Sequence, residues 1–256
     1  MSSKAVDGVV LAVLFITSAC ISAFFNLQLL LLTVPLFVIP SLYLLIRGKK
    51  YIVRDAGGAF LIGTVFGFML EYFSVLNHIW NYNRHWFVFK GSLPGGVPVE
   101  IMIWAFFWAF FIILFYEHFF DQYSRGKFSC LFLPMSGFAL LGIINLLFAP
   151  LTEQFFTVRY AYAWWGLFSL LPVAAVLWMY PRAFPKLLGT GVILAVAGML
   201  FEWVAIKTGY WSFGGEYLGM LGSGILAVPF EEIVFWVLLG PLVVLSNFLL
   251  FVRAND

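Results

Sequence analysis

Glu71 and Glu202 lie within long apolar stretches, and each is followed after the same interval by a tryptophan, Trp80 or Trp211. A carboxyl group is costly in hydrocarbon, so one that recurs there marks a site more readily than a scaffold. The shared pattern is longer than these pairs. Gly67, Glu71, Trp80, Tyr82, Gly91, Val97, Pro98 and Glu100 match Gly198, Glu202, Trp211, Phe213, Gly222, Val228, Pro229 and Glu231 without a gap, 131 positions apart. The second copy adds an adjacent acid, Glu232. Burial among apolar and aromatic side chains favours the protonated form of a carboxyl group, and a neighbouring carboxylate strengthens that preference. The chemistry within reach is therefore proton donation and acceptance in a dry pocket.

A structural role competes for some of these residues. In Pro98-Val99-Glu100 and Pro229-Phe230-Glu231, proline suits a helix start and the glutamate complements its positive end. That account does not reach Glu71 and Glu202, which lie far from their helix starts, and it does not need Glu232. Other acids read as ordinary. Glu117 and Asp121 sit beside Arg125 and Lys127, as in a solvated interfacial cluster. Glu153 can pair with Arg159. His78, His85 and His118 show no ligand spacing, so no metal is expected. Cys20 and Cys130 read as buried small side chains rather than a disulfide. Phosphate-loop, dinucleotide and serine-elbow patterns are all missing.

The elements that must position these residues are bilayer spans. Of the 256 residues, 63% are hydrophobic, 20% aromatic and only 10% charged, more apolar surface than a soluble core of this size needs. The formal charge of +2 does not suggest nucleic acid. Apolar segments of spanning length fall near 8–25, 28–47, 57–76, 97–116, 130–150, 160–180, 187–206 and 228–251. The expected fold is an all-α integral membrane protein of about eight transmembrane helices in two tandem parallel four-helix repeats. These are residues 1–127 and 128–256, forming one bundle. The first segment reads as a retained helix, not a cleaved leader, because Asp7 interrupts its basic region.

Lys4, Arg47, Lys49, Lys50, Arg54, Arg125, Lys127, Arg182, Lys186 and Arg253 fall on the side of the termini. Arg84, Lys90, Arg159 and Lys207 fall on the other. This bias predicts cytoplasmic termini, with the cell membrane as the expected location. The loops near 77–96 and 207–227 then lie outside, and Glu71, Glu202, Glu100, Glu231 and Glu232 meet in the outer layer. Trp80, Tyr82, Trp211 and Phe213 in those loops fit an interfacial aromatic belt. Their fixed distance from the acids also makes them candidates for binding substrate.

Two segments of the second copy carry a family resemblance: Gly209-Tyr210-Trp211-Ser212-Phe213 and Val228-Pro229-Phe230-Glu231-Glu232. The chain resembles the small membrane lycopene cyclases of the heterodimeric or fused type. In that family each half carries a glycine–tryptophan segment and then a Pro-x-Glu-Glu-like helix start. The resemblance is best over 198–250 and weaker over 67–116. It departs in two places: Glu71 and Glu202 stand where many members have aspartate, and the first copy has Ile101 in place of a second acid.

The resemblance implies cyclisation of the linear ends of a carotenoid without a flavin or other cofactor. Glu231 and Glu232 would be the acid and base, and Glu202 a supporting carboxylate. Trp211 would steady a cation or position the substrate, with Glu71, Trp80 and Glu100 as the equivalent half-site. The implied partners are a lipophilic polyene taken from the bilayer and the membrane lipids, with room left for an oligomer. A hydratase that quenches the same cation with water is an alternative, as is a lipid carrier or proton-coupled transporter. An intramembrane protease of the Glu-Glu-x-x-x-Arg kind fits less well, because Trp236 occupies the arginine position.

Overall fold

The computed structural model describes residues 3–48, 51–120, 137, 144, 157–224 and 227–252, which are mostly helical. Among the described residues, six helices are long and apolar enough to cross a bilayer. They are α1 (Ser3–Phe25), α2 (Leu29–Arg47), α3 (Ile52–Leu76), α4 (Val99–Phe119), α5 (Ala161–Met179) and α6 (Phe184–Thr208). A seventh, α7, combines Glu232–Leu238 and Gly240–Val252 across a 47° bend. Pro241 follows that break directly, and a proline removes the backbone donor a straight helix would use there. The fifth expected span, 130–150, and the expected boundary between repeats lie outside the described residues, apart from Gly137 and Ile144.

The matched sequence copies correspond in their elements. Shifting the starts of α2, α3 and α4 by the repeat interval reaches the starts of α5, α6 and the helical turn leading into α7 to within one residue. The helix containing Glu71 starts at Ile52, earlier than the segment expected from Gly57, because Arg54 and Asp55 are drawn into its first turns. Both are buried: Asp55 accepts from Arg54 Nε at 2.8 Å, and Arg54 also donates to Glu117. Glu117 is therefore not part of a solvated surface cluster. It is 3% exposed and satisfied by a buried guanidinium from α3. Its expected companions Asp121, Arg125 and Lys127 lie outside the described residues.

A second ion pair, between buried Asp7 and exposed Arg47, lies at the same end. Asp7 accepts from Tyr43 Oη at 2.6 Å and Arg47 Nε at 2.8 Å, with His118 Nε2 at 2.9 Å. Cys20 departs from expectation in the opposite sense: it is exposed on α1, on an outward-facing helix surface.

Helix α4 is the centre of the bundle and the most buried span. Its close approach to α3 depends on Gly63, where a β-carbon would collide with the Ala105 carbonyl oxygen. Small residues at such a crossing let two backbones pack without side chains between them. Among the described residues, three stretches wind more loosely, as π-helix: Val34–Val38, Phe60–Phe66 and Glu232–Leu238. The last carries Glu232 and Trp236, in keeping with the tendency of such turns to occur at sites.

The long connections after α3 and α6 meet each other. Strand β1 (Asn81–Tyr82) pairs antiparallel with β2 (Trp211–Ser212), Asn81 facing Ser212 and Tyr82 facing Trp211. A second small pair joins β3 (Met220–Leu221) to β4 (Val228–Pro229). Asn81 thus pairs with the residue equivalent to it in the other copy, as a local twofold axis between the strands requires.

Candidate functional site

Glu71 lies in the penultimate turn of α3, Glu202 near the end of α6, and Glu232 at the start of α7. All three are buried, at 5%, 2% and 3% exposure. Glu71 and Glu232 line a chamber at the loop end of the bundle together with Leu70, Trp80, Tyr82, Ile101, Trp104, Trp211 and Trp236, and Glu202 lies behind that wall. The cavity between these walls is narrow, about 30 Å³, and is open along part of its edge.

The two copies hold their glutamates in the same way. Trp80 Nε1 donates to Glu71 Oε2 at 3.0 Å, and Trp211 Nε1 donates to Glu202 Oε1 at 3.1 Å. Nine residues separate donor from acceptor in each copy, enough chain to leave the helix, turn and bring the indole back over the carboxylate. Tyr82 Oη also donates to Glu71. Burial first, and the neighbouring Glu71 second, push the Tyr82 phenol well above its ordinary range, so it remains a donor.

Glu232 is held differently. Tyr162 Oη, at the start of α5, donates to its Oε2 at 2.8 Å. Glu202 approaches the Glu232 carboxyl closely, and Glu71 lies within its electrostatic reach. Neither tie exists in the first copy, where Ile101 stands at the position of Glu232 and Leu31 at that of Tyr162.

The expectation that five carboxylates converge is met by these three. Glu100 and Glu231 instead bind backbone N–H groups, Glu100 those of a loop and of the first turn of α2, Glu231 that of a loop. Glu100 accepts backbone N–H groups from Leu30 at 2.6 Å, Val88 at 2.8 Å and Phe89 at 3.0 Å. Glu231 accepts the N–H of Leu218 at 2.6 Å. Both occupy the first turn of their helices and fasten the preceding loop onto it, which is the structural role open to the Pro-x-Glu pattern. Of the four aromatic candidates, Trp80, Tyr82 and Trp211 line the chamber. Phe213 does not; it packs edge-on against Tyr217, ring centres 6.2 Å apart.

Three contributors were not singled out by sequence reasoning. Trp104 stacks on Phe201 at 5.3 Å and meets Trp236 at 5.2 Å, and Trp236 stacks on Trp108 at 4.4 Å. Trp104 sits one turn after Glu100, a spacing that could have placed it on the same helix face. Tyr162 had no comparable signal, because its contact with Glu232 spans 70 residues.

The loops form a roof over the chamber. Tyr210 Oη donates to the Leu27 carbonyl at 2.5 Å, Asn83 N–H to the Tyr210 carbonyl at 2.8 Å, and Tyr217 Oη to the Ile79 carbonyl. Arg159, expected to pair with Glu153, binds Glu216 at 2.9 Å; Glu153 lies outside the described residues. Among the described residues, no cluster of three or more His, Cys, Asp or Glu has a geometry that could hold a metal ion. Family models, curated proteins and solved structures give no match to this chain.

Proposed function

We propose that this chain is an integral membrane enzyme that cyclises the linear end groups of a carotenoid by acid–base catalysis. Its fold would be eight spans in two parallel four-helix repeats, with cytoplasmic termini and the chamber toward the opposite face. The observation that carries the reading is the meeting of Glu71 and Glu232 with four tryptophans around one narrow chamber, with buried Glu202 behind Trp211 and Glu232. Large apolar side chains on the helix exteriors, such as Ile46, Trp178 and Val196, are exposed, as they would be against lipid.

In the reaction, a carboxylic acid at Glu232 gives its proton to the terminal alkene carbon. The resulting cation is attacked by the neighbouring double bond, a ring carbon–carbon bond forms, and Glu71 takes a proton from the ring carbon next to the new cation. The product is an isomer, with no electrons gained or lost. The faces of Trp104, Trp211 and Trp236 would hold the cation, an interaction worth about 2 kcal/mol or more once water is excluded. Tyr162 would orient Glu232. Trp80 and Tyr82 would orient Glu71.

The test is expression in lycopene-accumulating cells followed by chromatography of the pigments. Wild type is expected to convert lycopene to ringed products, and Glu232→Gln to lose about 10²-fold or more of that rate with membrane insertion unchanged. Unconverted lycopene beside a correctly inserted wild-type protein would overturn the reading.

A hydratase is the second reading, favoured by one observation. Trp104 Nε1 is buried at the chamber wall without an acceptor among the described residues. A water molecule there would satisfy that donor and could capture the same cation, yielding an alcohol in place of an isomer.

A further inference from the structure

Duplicated motifs invite a count of sites, and the geometry gives one. The chamber wall takes Glu71, Trp80, Tyr82 and Trp104 from the first copy and Trp211, Glu232 and Trp236 from the second. Glu71 and Glu202, equivalent by sequence and by their indole bonds, both lie within reach of the same Glu232 carboxyl. The strand register sets Tyr82 against Trp211 in the roof, so the two halves meet over this chamber rather than over two separate ones.

The wall itself is not symmetric. Ile101 and Glu232 are repeat equivalents and both line the chamber, one apolar and one acidic. Tyr162 supports Glu232 from a buried position, whereas its equivalent Leu31 is half exposed on the outside of the bundle.

We propose that the two copies compose a single, one-handed reaction centre in which Glu232 is the sole proton donor, so that a polyene with two reactive ends is modified at one end per binding event. The substrate clause rests on the cyclase reading above; the site count does not. Neither copy forms a half-site that works alone. Ile101 makes its side of the chamber a passive wall against which the chain end is laid, and it fixes the face on which the proton arrives. A polyene treated at one end must leave, turn around and return before the second end can react.

Two measurements separate the site count from the substrate. The first uses purified full-length protein and dicyclohexylcarbodiimide, a lipophilic reagent that modifies protonated carboxyl groups in apolar surroundings. One adduct per chain is expected by intact mass, because modification of one chamber carboxyl fills the space the others share. Glu232→Gln should slow labelling by about tenfold or more. Chains carrying two adducts, one on Glu71 and one on Glu202 or Glu232, would overturn the proposal.

The second measurement follows lycopene conversion over time. One-ring product should accumulate free in the membrane before two-ring product, and Glu232→Gln should remove both. Two-ring product with no free one-ring species, or one-ring product surviving in Glu232→Gln, would also overturn it. Untouched lycopene together with single labelling would sink the carotenoid reading and leave the composite centre standing.

Discussion

Glu71 and Glu202 each place one carboxylate oxygen on an indole N–H from the loop that follows their helix. Trp80→Phe and Trp211→Phe keep an aromatic ring and remove only that donor. Trp211→Phe is expected to destabilise the protein by about 1–3 kcal/mol, since Glu202 Oε1 loses its donor, and Trp80→Phe by less, since Tyr82 still donates to Glu71; both should lower turnover. Melting in detergent checks the first effect and pigment chromatography the second. Glu231→Gln separates the two adjacent acids. It retains an oxygen that can accept the Leu218 N–H, so its product yield should stay within a few fold of wild type while Glu232→Gln falls away. The pairing of a deep acid with a downstream tryptophan was legible from spacing, because both lie on one short stretch of chain. The division of labour between Glu231 and Glu232 was not. Adjacent helical residues point about 100° apart, and only the packing of α5 and the loop decides which one meets Tyr162 and which meets Leu218.

The helices were legible by hydropathy, and the starts of α2, α5 and α6 fall close to where apolar runs begin. What hydropathy concealed was polar burial. Asp7, Arg54, Asp55 and Glu117 mark segment ends in the sequence, yet each is almost fully enclosed, Asp7 and Glu117 by partners from another helix and Asp55 by its neighbour Arg54. Glu117→Ala would leave Arg54 short of one carboxylate, and breaking a buried pair in this way typically costs about 3–5 kcal/mol. A matching loss of thermal stability in detergent is expected, with the chamber residues unaltered. Gly63→Val should also destabilise, by about 1–3 kcal/mol, because the α3 and α4 backbones would have to separate around the new side chain. Glu100→Ala would strip three backbone N–H groups of their acceptor and loosen the loop at Val88 and Phe89, visible as faster amide exchange there.

At the scale of the whole molecule, the repeat is legible from matched residues alone, because identical spacing imposes identical helix starts. How the copies face each other is not. The register of Asn81 on Ser212 is a contact between loops far apart in sequence, and no local pattern encodes it. Alkaline titration probes this region. Burial pushes the phenols of Tyr210 and Tyr217 up to about 12, and both hold the roof as neutral donors. Their contribution to stability is complete below pH 10, the ordinary tyrosine value, and is lost as pH rises from there through about 12. Ultraviolet absorbance should therefore show these two ionising after the exposed tyrosines, together with loosening of the loops.

The fastened roof also sets the direction of traffic. With the two loops sewn to each other and to the turn at Leu27, the polyene of the proposed reaction would have to reach the chamber sideways, between helices, out of the surrounding hydrocarbon. Its effective concentration is then its mole fraction in the lipid. Reconstituted into vesicles, the protein should slow in proportion as inert phospholipid dilutes a fixed amount of ligand, while changes in the aqueous volume leave the rate untouched.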